Sequence, residues 1–271
     1  MPFIKMHGAG NDFVFLSREN TSIPITNKLA QLLLDRHFGV GGDQLLVLTP
    51  GTSTQIPSLK IYNADGSLAE MCGNGVRSVA FYLMKYKQYR KNFSLQTDAG
   101  EIGIQFKGKK IEVDMGEPVL EGRKIPVRAR GPIVNKSIQV KGKTYKIHAV
   151  SMGNPHCVIY VKNVTQFPVK EIGPLIEKHL FFPNRVNVEF VQVLRQNHVR
   201  VRVWERGAGE TLACGTGACA VAVAGARFGN TSRNVKIDLP GGSLQVRWGE
   251  NNHVYLSGPS EVTFSGTFLI G

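Results

Sequence analysis

The sequence predicts an α+β protein of two pseudo-symmetric domains built from an internal repeat, each a strand-rich sheet around a buried helix. Three observations carry this. Cys72, in Met71-Cys72-Gly73-Asn74-Gly75, and Cys214, in Ala213-Cys214-Gly215-Thr216-Gly217, open matching Cys-Gly-x-Gly units 142 residues apart, each followed by a run that can be helical. Polar residues at strand ends recur at nearly the same spacing: Asn11 with Asn154 and Gln44 with Asn187 at 143, and Asn63 with Glu205 at 142. The turns Asp98-Ala99-Gly100 and Pro240-Gly241-Gly242 fall 142 apart as well. What recurs is order, spacing and polar–apolar pattern, and a repeat this long is a whole domain.

In chain order, Gly10-Asn11 opens the apolar run Phe13–Leu16, a strand. Residues 28–37 carry Leu29, Leu32 and Leu33 on helical spacing. Gln44 leads the strand Leu45–Leu48, and Ile61-Tyr62-Asn63 ends another. A helix over Asn74–Tyr86 places Val76, Val79, Ala80 and Leu83 on one face, flanked by Tyr82 and Met84. Alternation marks strands over Ile102–Phe106 and Lys110–Asp114. Gly116-Glu117-Pro118 marks a domain boundary. The second half repeats the series with strands over Thr144–Val150, Val158–Val161, Val188–Val191 and Val199–Trp204, and a shorter helix over Glu171–Leu180. Thr216–Phe228 is apolar nearly all round and should be a buried helix, with a strand at Leu244–Trp248 after it. The expected domains are residues 1–116, completed by a C-terminal strand over 262–271, and residues 117–261.

Length and composition fit two globular domains: 271 residues, 42% apolar and 20% charged. No apolar stretch is long enough for a membrane span and no signal-peptide core precedes Met6-His7-Gly8, so a cytoplasmic location is expected. Four cysteines make no disulfide framework. The net charge of +13 raises nucleic-acid binding as an alternative. However, the basic residues are spread along the chain, and the denser stretches 85–91 and 123–130 lack an aromatic stacking set, so a solvated basic surface is favoured.

A thiol at a helix start lies among backbone N–H groups that lack helical partners and carry partial positive charge, which favours a thiolate. The same groups can cradle a carboxylate, and Gly73, Gly75, Gly215 and Gly217 let it approach. Two such units facing one amino acid from opposite sides could invert a stereocentre by proton exchange and stabilise the developing carbanion. Cys157, in a strand-like run, and Cys219, in the apolar helix, read as small buried hydrophobes. Metal binding is weak, with no Cys-x-x-Cys and with Cys214 and Cys219 on different helix faces. Gly215-Thr216-Gly217-Ala218-Cys219-Ala220 formally fits G-x-G-x-x-A, but residues 206–213 separate it from its strand.

At these residues the chain resembles the diaminopimelate epimerase family over nearly its whole length. The resemblance rests on His7-Gly8-Ala9-Gly10-Asn11-Asp12-Phe13, on Asn63-Ala64-Asp65-Gly66-Ser67 and Glu70–Arg77, on Gly153-Asn154-Pro155-His156, and on Glu205–Thr211 leading to Cys214-Gly215-Thr216-Gly217. It implies a barrel-like sheet in each half and epimerisation of LL- to meso-diaminopimelate, in lysine and cell-wall precursor biosynthesis. No pyridoxal phosphate, metal or nucleotide is implied. Cys72 and Cys214 would be the acid–base pair, with His156 and Glu205 tuning the thiols. Asn11, Gln44, Asn63, Gly73, Asn74, Asn154, Asn187, Glu205, Arg206, Gly215 and Thr216 would bind substrate, Arg206 pairing with the distal carboxylate. Proline racemases and hydroxyproline epimerases look similar but carry His where this chain has Asn74; such a racemase is the alternative reading. The phenazine-biosynthesis relatives lack the cysteine pair. A homodimer is implied, less firmly because Phe264 stands where Tyr is frequent. Two thiols sharing one carbon would also be candidates for a Cys72–Cys214 disulfide on mild oxidation.

Overall fold

The computed structural model of the chain describes residues 1–89, 91–108 and 110–270. Arg90, within the basic stretch 85–91, and Gly271, at the end of the expected strand 262–271, lie outside the described residues. The chain divides into two compact units, Met1–Asp114 with Ser257–Gly271, and Met115–Leu256. Both breaks fall a few residues before those expected at 116 and 261.

The first unit contains β1 (Pro2–Gly8), β2 (Asn11–Ser17), α1 (Asn27–Leu34), β3 (Gln44–Thr49), β4 (Ser58–Asn63), β5 (Leu68–Ala69), α2 (Gly73–Tyr86), β6 (Phe93–Thr97), β7 (Gly100–Lys107) and β8 (Lys110–Asp114). The second contains β9 (Lys136–Val140), β10 (Lys143–Ser151), β11 (Pro155–Tyr160), α3 (Val169–Glu177), β12 (Asn187–Arg195), β13 (His198–Glu205), β14 (Gly209–Thr211), α4 (Gly215–Arg227), β15 (Asn234–Leu239) and β16 (Gly242–Trp248). β17 (Val254–Ser257) ends at the boundary, and β18 (Glu261–Thr267) belongs to the first unit.

The two ladders match strand for strand. In the first unit β2 runs parallel to β3, β3 is antiparallel to β4, and β4 pairs antiparallel with β5 and parallel with β6. In the second, β11 is parallel to β12, β12 antiparallel to β13, and β13 pairs antiparallel with β14 and parallel with β15. The register agrees too: Phe13 lies opposite Gln44, and His156 opposite Asn187. At the other edge β1 pairs with β18 as β10 pairs with β9. The same place in the ladder is thus filled by the end of the chain in the first unit and by the strand just before β10 in the second.

Each unit wraps its sheet around one helix and lays a second helix outside. α2 packs on β1, β3 and β8, and α4 on β10, β11, β12, β15 and β16. The strands between the two helices are apolar on both faces, because both faces are covered. In β3, Leu45 and Val47 join the α1 cluster with Leu33 and Tyr62. Leu46 points the other way, so close to α2 that a Cβ on Gly75 would meet its Cδ2 at 2.9 Å. In β12, Val188 and Phe190 join the α3 cluster with Ile172 and Ile176.

The helix limits depart from expectation in two places. α1 stops at Leu34 rather than 37, because Asp35 adopts extended backbone and its Oδ1 accepts the N–H groups of His37 and Phe38. α3 spans 169–177 rather than 171–180; Pro174 inside it removes a backbone donor, and the chain leaves at Lys178. The C-terminal strand spans 261–267, short of the expected 262–271.

Candidate active site

Both conspicuous cysteines are helix N-caps, and their caps are the same. Cys72 Sγ accepts the Gly75 N–H at 3.4 Å, and Cys214 Sγ accepts the Gly217 N–H at 3.4 Å. Each sulfur therefore sits where a Ser or Asp oxygen normally caps a helix, in the field of the first-turn N–H groups. None of the four cysteines is in a disulfide, and Cys157 and Cys219 are both buried in the second unit.

In the first unit Asn11 lies beside Cys72, and Gln44 and Asn63 are bonded to each other. Its Sγ lies 3.7 Å from Asn11 Oδ1, and Asn11 donates through Nδ2 to Asp43 Oδ2 at 2.9 Å. Asp43 is itself held by Arg36, which also pairs with Asp12 at 2.8 Å. Burial raises the Asp12 pKa, but the hydrogen bonds and charges of Arg36 and Lys5 outweigh it and hold the carboxyl at about 2. Gln44 donates to Asn63 Oδ1 at 3.0 Å, and Asn63 donates to Ser67 Oγ at 3.1 Å. Asn74 is buried within α2 and accepts from Arg77 at 2.9 Å, so its side chain braces the helix start.

In the second unit Cys214 is buried, with Thr216 Oγ1 at 3.5 Å. Burial pushes this thiol well above its ordinary pKa, and the carboxylates of Glu205 and Glu189 add to the rise; bonds from Thr216 and the Gly217 N–H oppose it. The expectation that a helix start depresses this cysteine is therefore corrected, since burial and two nearby acids outweigh the first-turn field. Burial also raises Glu205, against hydrogen bonds from Thr211 and Cys214 and the charge of His156. Thr211 donates to Glu205 at 2.5 Å. Asn187 accepts the Arg206 N–H at 2.9 Å and donates to Pro155 O at 3.0 Å, tying β11 and β12 to the Arg206 turn. Arg206 itself is exposed, with Nη1 on Asn184 O at 3.2 Å. His156 links Asn154 Oδ1, 2.9 Å from Nε2, to Glu189 Oε1, 2.7 Å from Nδ1.

Three residues at this site escaped the sequence reading. Glu189 is a wholly buried carboxylate in the run Val188-Glu189-Phe190-Val191, where a charge amid apolar neighbours was the available signal. Asp43 precedes Gln44 and follows Gly41-Gly42, a composition that by itself marks a turn. Glu177 accepts from Trp204 Nε1 at 2.7 Å and the Gly207 N–H at 3.1 Å, fixing the turn that carries Arg206. Nothing at the end of α3 announced it. Among the described residues no three His, Cys, Asp or Glu side chains converge as a metal site.

Comparison with known proteins agrees in family and fold. A family model described as diaminopimelate epimerase matches residues 3–121 and 148–263. A Leptospira biflexa protein named diaminopimelate epimerase is 46% identical over 273 residues, covering 97% of each chain. Among solved structures, a phenazine biosynthesis protein of the PhzF family from Bacillus anthracis superposes with a TM-score of 0.70 at 14% identity, covering 100% of this chain and 99% of that one. A probable proline racemase from Agrobacterium radiobacter K84 superposes with a TM-score of 0.70 at 12% identity, covering 100% and 93%. At such identities the structural likeness speaks for the fold alone.

Proposed function

The chain belongs to the diaminopimelate epimerase family, and on that premise we propose that Cys72 and Cys214 are the acid–base pair that inverts the α-carbon of diaminopimelate. The chain is an isomerase of lysine biosynthesis. The observation that carries the proposed mechanism is the matched capping of the two thiols, each bonded to the third N–H of a buried helix.

In one direction Cys72, as thiolate, takes the α-proton from one face of the carbon while Cys214 delivers its own proton to the other. The C–H bond to the first face breaks, a C–H bond on the second forms, and the sulfurs exchange protonation states. The raised pKa of Cys214 suits it to begin as the donor. The α-proton is barely acidic, so the carbanion must be stabilised electrostatically, and the N–H groups at Gly73 and Asn74, and at Gly215 and Thr216, suit the substrate carboxylate. Asn11, Gln44, Asn63, Asn154, Asn187 and Glu205 offer neutral and acidic partners to the remaining polar groups. Arg206 offers a guanidinium to the distal carboxylate.

His156 and Glu205 tune the second thiol. Asn74, which stands where proline-type racemases carry His, and Arg206 speak against that alternative. The same proposal includes a homodimer and a cytoplasmic enzyme. Among the described residues no helix is long and apolar enough to cross a membrane.

The test is incubation of the protein with LL-diaminopimelate in deuterated water, without added pyridoxal phosphate or metal. Meso product carrying deuterium at the inverted carbon is expected. Unlabelled product, or none, would overturn the proposal.

A further inference from the structure

The two units differ sharply at one equivalent place. At an offset of 143, His156 corresponds to Phe13 and Glu189 to Leu46. The positions match in space as well as in number. A Cβ on Gly75 would meet Leu46 Cδ2 at 2.9 Å, and a Cβ on Gly217 would meet Glu189 Oε1 at 2.8 Å. One unit thus fills the space beneath its inner helix with Phe13 and Leu46, both wholly buried, and the other with a hydrogen-bonded His156 and Glu189, both wholly buried. The fold has an apolar solution at this place, and buried ion pairs are commonly no more stabilising than apolar replacements. Glu189 Oε2 is buried with no hydrogen-bond partner among the described residues, a further burden on stability.

What the pair does locally is hold an amide. His156 Nε2 engages Asn154 Oδ1, so Asn154 keeps its NH2 group available. Its repeat equivalent is held in the opposite sense: Asp43 takes the NH2 of Asn11, whose Oδ1 faces Cys72. Asp43 corresponds in turn to the buried, apolar Val186. Each unit therefore has its own device for orienting its asparagine, and each lacks the other's.

We propose that Glu189 is a positioning residue for the epimerase reaction: through His156 it fixes Asn154 as a hydrogen-bond donor, whereas Asp43 fixes Asn11 as an acceptor. This rests on the function proposed above. A pseudo-symmetric pair of asparagines so arranged offers one acceptor and one donor. An amino acid presents the complement, an ammonium that donates and a carboxylate that accepts. The inference requires that His156 carry a proton on both ring nitrogens, Nε2–H donating to Asn154 Oδ1 and Nδ1–H to the Glu189 carboxylate.

Two-bond nitrogen–proton spectra of the uniformly 15N-labelled full chain read these protons without substrate, and both ring nitrogens of His156 are expected to be protonated at pH 7. Glu189→Gln keeps the volume and removes the charge. It should lower kcat/KM for diaminopimelate by on the order of tenfold or more, the usual effect of removing such an outer partner. The double variant His156→Phe/Glu189→Leu, which copies the other unit, should fold with an unchanged or raised Tm and lose activity. A bare Nδ1 or Nε2 in the wild type, a Glu189→Gln enzyme of wild-type kcat/KM, or a double variant that cannot fold would each overturn the inference. Absence of epimerisation by the wild type would sink the functional reading instead, leaving the nitrogen spectrum as an independent test.

Discussion

His148 gives the second unit a built-in sensitivity to acid. Its ring, on β10, is buried, stacked on Phe228 at 4.4 Å and set edge-on to Tyr160 at 5.5 Å. Burial lowers its pKa from 6.5 to about 4. Because the folded pKa lies below the unfolded one, the unfolded chain binds the proton first. Stability is complete above about pH 6.5 and is lost as pH falls toward 4. With those two values, the loss between pH 7.5 and pH 5 is about 2 kcal/mol for this side chain alone. The assay is urea unfolding of the wild type and of His148→Leu at both pH values, followed by tryptophan fluorescence. Trp204 and Trp248 both lie in the second unit, so the signal reports that unit. The wild type should lose about 2 kcal/mol more than His148→Leu on acidification. Equal losses in the two proteins would refute the assignment of this sensitivity to His148.

Other outcomes concern the site. Cys72→Ala and Cys214→Ala should each abolish epimerisation with circular dichroism unchanged, whereas Cys157→Ala and Cys219→Ala should keep activity with a lower Tm; turnover by Cys72→Ala at the normal rate contradicts the two-thiol mechanism. Gly217→Ala drives a Cβ to 2.8 Å from Glu189 Oε1, while Gly75→Ala meets the movable end of Leu46 at 2.9 Å. Comparison of kcat/KM should therefore show Gly217→Ala losing on the order of tenfold more activity, as expected when a supporting hydrogen bond is displaced; equal losses would mean that Glu189 has no special part.

Much of this was legible because the chain states it twice. A single Asn at a strand end is an ordinary turn residue, but Asn11 and Asn154 at matching positions exposed a common ladder. α2 and α4 were legible from their apolar faces and their Cys-Gly-x-Gly starts. What could not be read were partnerships set by tertiary packing. Asp35 ended α1 with a side-chain bond to the backbone, which helical spacing does not encode. Cys214 looked like a thiol with a depressed pKa from its helix position alone, and only its burial beside Glu205 reverses the direction. Glu189 was overlooked because it continued an apolar strand, although a lone charge there has to be balanced by something buried with it. The halves agree in the two capped cysteines and in the asparagines at strand ends. They differ in the groups that orient those asparagines, Asp43 in one half and His156 with Glu189 in the other.

The exchange of β18 for β9 bears on the order in which the protein can assemble on the ribosome. The second unit is a continuous segment, and its β9 emerges just before the β10 it pairs with. The first unit begins earlier but cannot finish, because β1 waits for residues 261–267 to cover its edge. Throughout synthesis of the second unit β1 keeps a row of unpaired backbone groups, the kind of edge that recruits strands from other chains. Once β18 arrives, the Met1 ammonium donates to Phe268 O at 2.7 Å and the Phe268 N–H donates back to Met1 O at 2.8 Å. The half translated first is thus the half completed last, and nascent chains stalled before residue 261 would be the ones most in need of a chaperone.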